Sequence, residues 1–216
     1  MGNAWMAGNS LDLSIVTGTT EEVLVAAPYN TPQRMDEYTY IPDPDYGGGK
    51  GDLYLDFLES TIIPLTKANF RVDINRDTLG ILGSSLGGLI SCYAGWTRSD
   101  IYGKVGCMSS SFWWDNKDYQ TNLITSSTPE KISDTYMDSG DTLGGENWCE
   151  LYTKNIYDYM LGVGYTADLS VARYVDHGAT HSETYWGPRF HYPMEFLYPA
   201  SGIPMPPMTL EKQYSQ

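Results

Sequence analysis

Thr78-Leu79-Gly80-Ile81-Leu82-Gly83-Ser84-Ser85-Leu86-Gly87-Gly88 decides how this chain is read. An apolar run (Leu79, Ile81, Leu82) ends in Gly83-Ser84-Ser85-Leu86-Gly87, which fits G-x-S-x-G, and a second apolar run from Leu89 to Trp96 has helical character. Strand, tight turn and helix in that order are the context of a nucleophile elbow. Such a turn is expected to leave no room for side chains two residues before and two after the serine, hence Gly83 and Gly87. It lifts the Ser85 hydroxyl clear of the sheet and leaves the Leu86 N–H and the helix N-terminus facing a developing oxyanion. With 22 Gly in the chain the pentapeptide alone is a weak signal, and the flanking apolar runs give it weight.

Moving outward, strand and helix patterns alternate. Ser10 to Val16 reads as a short helix and Val23 to Ala27 as a buried strand. Asn30 to Lys50 is a long polar loop whose Tyr38, Tyr40 and Tyr46 are candidates to line a cleft. Leu53 to Phe70 reads as an amphipathic helix interrupted near Pro64. After the elbow come a strand at 104–108, the cluster Ser109-Ser110-Ser111-Phe112-Trp113-Trp114, a helix at 116–126, a strand at 132–137, a helix at 147–161 and a strand at 169–175. The segment 182–198 is helical at least in its second half, with Pro188 able to open a helix and Pro193 expected to interrupt one. This order predicts an α/β fold, a mostly parallel sheet with helices on both faces. One domain is expected over residues 1–200, followed by a Pro- and Met-containing tail at 201–216.

The composition narrows the function. A formal charge of −14 over 216 residues argues against nucleic acid or an anionic membrane surface as partner. No apolar run approaches the roughly 20 residues of a membrane span, and no signal peptide is visible at the start, which favours a cytoplasmic location. The 3 cysteines (Cys92, Cys107, Cys149) show no C-x-x-C spacing; Cys92 and Cys107 sit in apolar segments as expected buried thiols, and their number allows one disulfide without pointing to it. His177, His181 and His191 lack zinc spacing, so no metal or other cofactor is expected.

A serine nucleophile needs a base, and the base needs an acid to orient it. In an α/β-hydrolase these follow in the order Ser, Asp or Glu, His. Asp138, Asp141 and Glu146 follow the strand at 132–137, and His177 and His181 follow the strand at 169–175. All fall at the same edge of a parallel sheet as Ser85, where α/β ligands bind.

Gly83-Ser84-Ser85-Leu86-Gly87-Gly88, Met108 to Trp114, and His181-Ser182-Glu183 with Trp186 together resemble the "putative esterase" group of α/β-hydrolases. Esterase D, feruloyl and acetylxylan esterases, siderophore esterases and mycolyltransferases belong to that group. Arg34 with Glu37-Tyr38, and Phe196-Leu197-Tyr198-Pro199, resemble further segments of it, so the likeness runs over about residues 20 to 200. It implies a serine carboxylesterase working through an acyl-enzyme, with Ser85 as nucleophile, His181 rather than His177 as base, and Leu86 giving one oxyanion N–H. For the acid, Leu143 sits where several members carry theirs. Asp141 is the preferred substitute because it lies nearer the strand end, with Glu146 the alternative. Trp113, Trp114 and Trp186 are the candidate substrate-binding aromatics, suited to an aryl or sugar-borne acyl group on a small-molecule ester. Relatives carry additional N-terminal strands and an Asp-Gly segment that gives a second oxyanion donor. This chain begins after that place, so it is expected to lack the first N-terminal strands, to leave one sheet edge open and to form a homo-oligomer. A binding or scaffold protein that keeps the elbow without catalysis is the alternative function.

Overall fold

The computed structural model describes residues 5–201. Nearly all of the expected tail, 202–216, lies outside the described residues. Among the described residues the sheet has four parallel strands in sequence order: β1 (Gly80–Ser84), β2 (Lys104–Met108), β3 (Asp134–Gly140) and β4 (Val171–Asp176). The register carries Ser84 beside Met108 and Met108 beside Asp138, so the C-terminal ends of the first three strands form one rim.

Side-chain alternation along each strand builds two cores. Val105, Cys107, Met137 and Val171 face α5 (Leu86–Thr97) and α8 (Glu146–Gly162), packing with Leu89, Trp96 and Ile156. Met108, Tyr136, Ala172 and Tyr174 face the other way, against α1 (Ala7–Val16), α9 (Glu183–Arg189) and α10 (His191–Leu197) through Leu11, Met194 and Phe196. The sheet is therefore covered on both faces, as its near-continuous apolar strands require. Among the described residues no helix is long and apolar enough to cross a membrane.

Several expectations change. Val23 to Ala27 is not a strand: it forms no regular element, Leu24 and Val25 are exposed, and it pairs with no strand among the described residues. The loop 30–50 holds a short helix, α2 (Arg34–Tyr38). The helical stretch beyond it runs on through α3 (Gly51–Phe57), a π turn at Leu58–Ile62 and α4 (Ile63–Asn69). The widened turn comes just before Pro64, whose ring removes the N–H an α-helix would use there. Near the C-terminus the break falls at Phe190 rather than at Pro193, because Pro193 occupies the first turn of α10, where a missing N–H costs no helical bond. Cys92 and Cys107 are joined as a disulfide, not left as thiols, and tie α5 to β2 directly behind the elbow.

On its outer side β1 has no partner among the described residues, and its five residues are half-buried. A groove of about 1120 Å³ runs along that edge, walled on the far side by residues 21–28.

Candidate active site

Ser85 occupies the turn between β1 and α5 with φ 58° and ψ −123°, a left-handed conformation that is costly for any residue with a Cβ, on the order of 1–3 kcal/mol. The glycines around it are not equivalent. A Cβ on Gly83 would stand 2.5 Å from the carbonyl of Gly87, so that position must stay bare. Gly87, against expectation, has nothing within 4 Å of a Cβ, whereas one on Gly88 would strike the Ser110 hydroxyl. Neighbouring strand ends hold the turn: Ser85 N–H donates to the Met108 carbonyl at 3.0 Å, and Ser111 N–H donates to the Ser85 carbonyl at 3.0 Å. The side chains of Ser85 and Ser111 share a hydrogen bond at 3.3 Å between their oxygens. Leu86 opens α5, in the first turn, where backbone N–H groups lack intrahelical partners.

The histidine comes from the loop after β4. His181 Nδ1 lies 3.1 Å from Oε1 of Glu146, whose side chain is 0% exposed. The other oxygen of Glu146 accepts the Gly140 N–H at 3.0 Å. Burial pushes the Glu146 carboxyl up, but hydrogen bonds from His181 and Ser109, with the charges of His181 and Arg189, hold it below the usual range. The sequence preference for Asp141 as the partner of His181 is corrected here. Asp141 turns outward, binding His177 Nδ1 at 2.6 Å and accepting the Gly178 N–H at 2.8 Å, so it pins the next loop instead of the imidazole. Gly144 and Gly145, both at positive φ, reverse the chain and return Glu146 to the strand end as the first residue of α8. Nearness along the sequence is thus outweighed by the direction in which the loop turns.

Beneath the pair lies a buried network that no sequence pattern suggested. Arg189 donates to both Asp138 oxygens at 3.0 and 3.1 Å, and to the Ser109 hydroxyl at 2.5 Å. Asp138 also accepts the Ser109 N–H at 3.2 Å and the Tyr136 hydroxyl at 3.2 Å. Ser109 is held at φ 40° by these contacts. One turn beyond Glu146, buried Cys149 places Sγ 3.9 Å from His181 Nδ1 and 3.7 Å from the Ser109 carbonyl. Burial, with the charge of Glu146 next, pushes this thiol up to about 12. Glu146, Cys149 and His181 present donor atoms that all lie within 4.8 Å of one another. Histidine spacing along the chain gave no sign of this grouping, because Glu146 and Cys149 lie on α8 and His181 comes from the loop after β4.

Ser85 and His181 open into one cleft of about 540 Å³, lined also by Tyr46, Trp113, Trp148 and Tyr152. Among the described residues none of its lining side chains is a carboxylate, a lysine or an arginine. Of the three tryptophans expected at the substrate, only Trp113 lines it, with 39% of its surface exposed. Trp114 is buried, with its indole N–H donating to the Ile41 carbonyl at 2.8 Å. Trp186 is buried too, and its ring meets His181 edge-on with centroids 4.9 Å apart, so it supports the imidazole. Trp148 and Tyr152, on α8, escaped the sequence reading because their spacing suits a helix face packed on a core. The larger groove beside β1 reaches Ser84 and Gly87 but includes neither the Ser85 hydroxyl nor His181, so the aromatic cleft is the candidate site.

With this geometry the chain can be set beside known proteins. The family model described as "Putative esterase" matches residues 5–192. The chain is 31% identical over 176 residues to "Uncharacterized protein YbbA" of Bacillus subtilis (strain 168), covering 76% of this chain and 69% of that one. Among solved structures it is similar to the BES protein from Bacillus cereus, with a TM-score of 0.70 and 16% identity over 89% of this chain and 78% of that one. It is also similar to the siderophore hydrolase EstA from Aspergillus nidulans, with a TM-score of 0.63 and 18% identity over 91% and 79%. At these identities the structures show the shared α/β fold.

Proposed function

As the chain belongs to the "Putative esterase" family, we propose that it is a serine ester hydrolase in which Ser85, His181 and Glu146 act together on an ester with an uncharged aromatic group. The observation that carries this reading is a serine on a strained elbow sharing a cleft with an imidazole whose far nitrogen is held by a buried carboxylate.

The proton accounting follows from that bond. With Nδ1–H donated to Glu146, the free lone pair of the neutral ring is on Nε2. Nε2 takes the Ser85 proton as Oγ attacks the ester carbonyl, and Glu146 offsets the charge of the imidazolium. The Leu86 N–H stabilises the oxyanion, aided by the positive end of α5. Collapse expels the alcohol, which takes the proton from Nε2, and water then releases the acid by the same steps in reverse. The neutral aromatic lining favours aryl groups over charged ones, since an ion would lose water there without gaining a partner.

Hydrolysis of p-nitrophenyl benzoate tests this. Ser85→Ala should lower turnover by about 10⁴–10⁶-fold, and a fluorophosphonate should label the unsubstituted protein once, at Ser85. A wild-type protein that neither turns over such esters nor takes the label would leave the binding-protein alternative standing. Full activity in Ser85→Ala would refute the assignment.

A further inference from the structure

Cys149 has no part in the chemistry above, yet its sulfur lies against the base. We infer that Glu146, Cys149 and His181 form a capture site for a thiophilic divalent cation of the zinc class, and that filling it switches hydrolysis off. The regulatory half of this inference rests on the proposed roles of Ser85 and His181, and the binding half stands on geometry alone.

Glu146 and Cys149 are three residues apart on α8 and so share one face of a rigid element. Oε1 of Glu146 is 3.1 Å from His181 Nδ1, Sγ of Cys149 is 3.9 Å from it, and the whole set fits within 4.8 Å. Tetrahedral zinc binds sulfur at about 2.3 Å and nitrogen or oxygen at about 2.0–2.2 Å, which sets neighbouring donors roughly 3.4–3.6 Å apart. Closing the widest separation by little more than about 1 Å therefore completes three corners. Two of the donors are buried, with Glu146 at 1% and Cys149 at 3% exposure, unlike the acidic clusters common on surfaces. His181 is one-third exposed at the cleft, which supplies the way in and leaves the fourth corner to water or hydroxide. A nitrogen, a sulfur and an oxygen donor suit zinc or cobalt and not magnesium or calcium, which prefer all-oxygen sets.

Inhibition follows without the ion touching Ser85. Metal on Nδ1 takes the lone pair there, so the ring proton that pointed at Glu146 must move to Nε2. The nitrogen that accepts the serine proton is then already protonated. Coordination also releases the thiol proton to solvent. One proton leaves for each ion bound, and no bond to carbon changes.

The test uses the full chain with zinc chloride and cobalt chloride as probes. Zinc should inhibit ester hydrolysis by wild-type protein, and EDTA should restore it. Measured against its own zinc-free rate, Cys149→Ala should weaken inhibition by at least about 10–100-fold, the loss that follows even when only an outer support of a zinc site is removed. Equal zinc sensitivity in Cys149→Ala would overturn the proposal. Cobalt gives a readout that needs no activity: a thiolate-to-cobalt charge-transfer band in the near ultraviolet should appear with wild-type protein and vanish in Cys149→Ala and in Cys149→Ser, which keeps the side-chain volume. If the wild type shows no hydrolysis, the esterase reading fails while the band still decides the site. Absence of the band from wild-type protein would overturn the metal site itself.

Discussion

Two carboxylate–histidine pairs sit on adjoining loops, Glu146 with His181 and Asp141 with His177. The second pair is the shorter, 2.6 Å against 3.1 Å, and lies nearer the strand end. Yet both its partners are more than one-third exposed, whereas the Glu146 side chain is fully enclosed. An exposed pair competes with water and salt and contributes little. A buried carboxylate cannot go without a partner, so it fixes the ring it binds. Burial and supporting contacts, not the length of one hydrogen bond, distinguish a pair able to orient a base from one that merely staples two loops.

Substitutions can break or sharpen that contrast. The largest effect is expected from Glu146→Gln, which keeps the shape but loses the charge that selects the tautomer, and kcat should fall by about 10³–10⁴-fold with KM little changed. A drop of less than tenfold would erase the distinction between the pairs. Next comes Arg189→Met, which leaves Asp138 enclosed without its counter-charge beneath the Glu146 pair. Removing one member of a buried ion pair costs about 3–5 kcal/mol, readable as a lower midpoint in urea unfolding. An unchanged midpoint would mean that the scaffolding under Glu146 is not needed.

The smallest effect is expected at Asp141→Asn, where esterase activity should stay within about twofold, as for surface changes away from a site. Its signature should instead appear in acid. Burial pushes the Asp141 carboxyl up, but the His177 and Gly178 hydrogen bonds and the His177 charge together hold it below its ordinary value. A carboxylate depressed in the folded state contributes stability above its unfolded pKa and loses it as the pH falls through the folded one. Relative to Asp141→Asn, the wild type should therefore lose stability more steeply below about pH 4. Parallel acid-unfolding curves would show that the outer pair holds nothing.

Much of this was legible in the chain itself. The strand–turn–helix of the elbow and the parallel order of the strands at 80, 104, 134 and 171 follow from apolar runs, a G-x-S-x-G turn and chain order. What was hidden involves direction in space. Asp141 and Glu146 are both within loop reach of His181, and the reversal at Gly144 and Gly145 that favours Glu146 is a property of backbone angles. Trp114 and Trp186 resemble ligand-facing aromatics in one dimension and are enclosed in three. The strand reading of Val23 to Ala27 failed for a related reason: apolar β-branched composition marks a segment that wants a neighbour without providing one.

Gly87 carries one more consequence. It belongs to the elbow motif, yet a methyl group there meets nothing within 4 Å beyond its own turn of helix, and it borders the groove beside β1. Alanine favours a helix over glycine by about 0.8–1.0 kcal/mol, so Gly87→Ala should raise the melting temperature slightly if only solvent fills that groove. Anything seated in that groove against Gly87 would instead meet the new methyl and turn the gain into a loss. One carbon atom at position 87 thus serves as a tactile probe for whatever the open flank of the sheet holds.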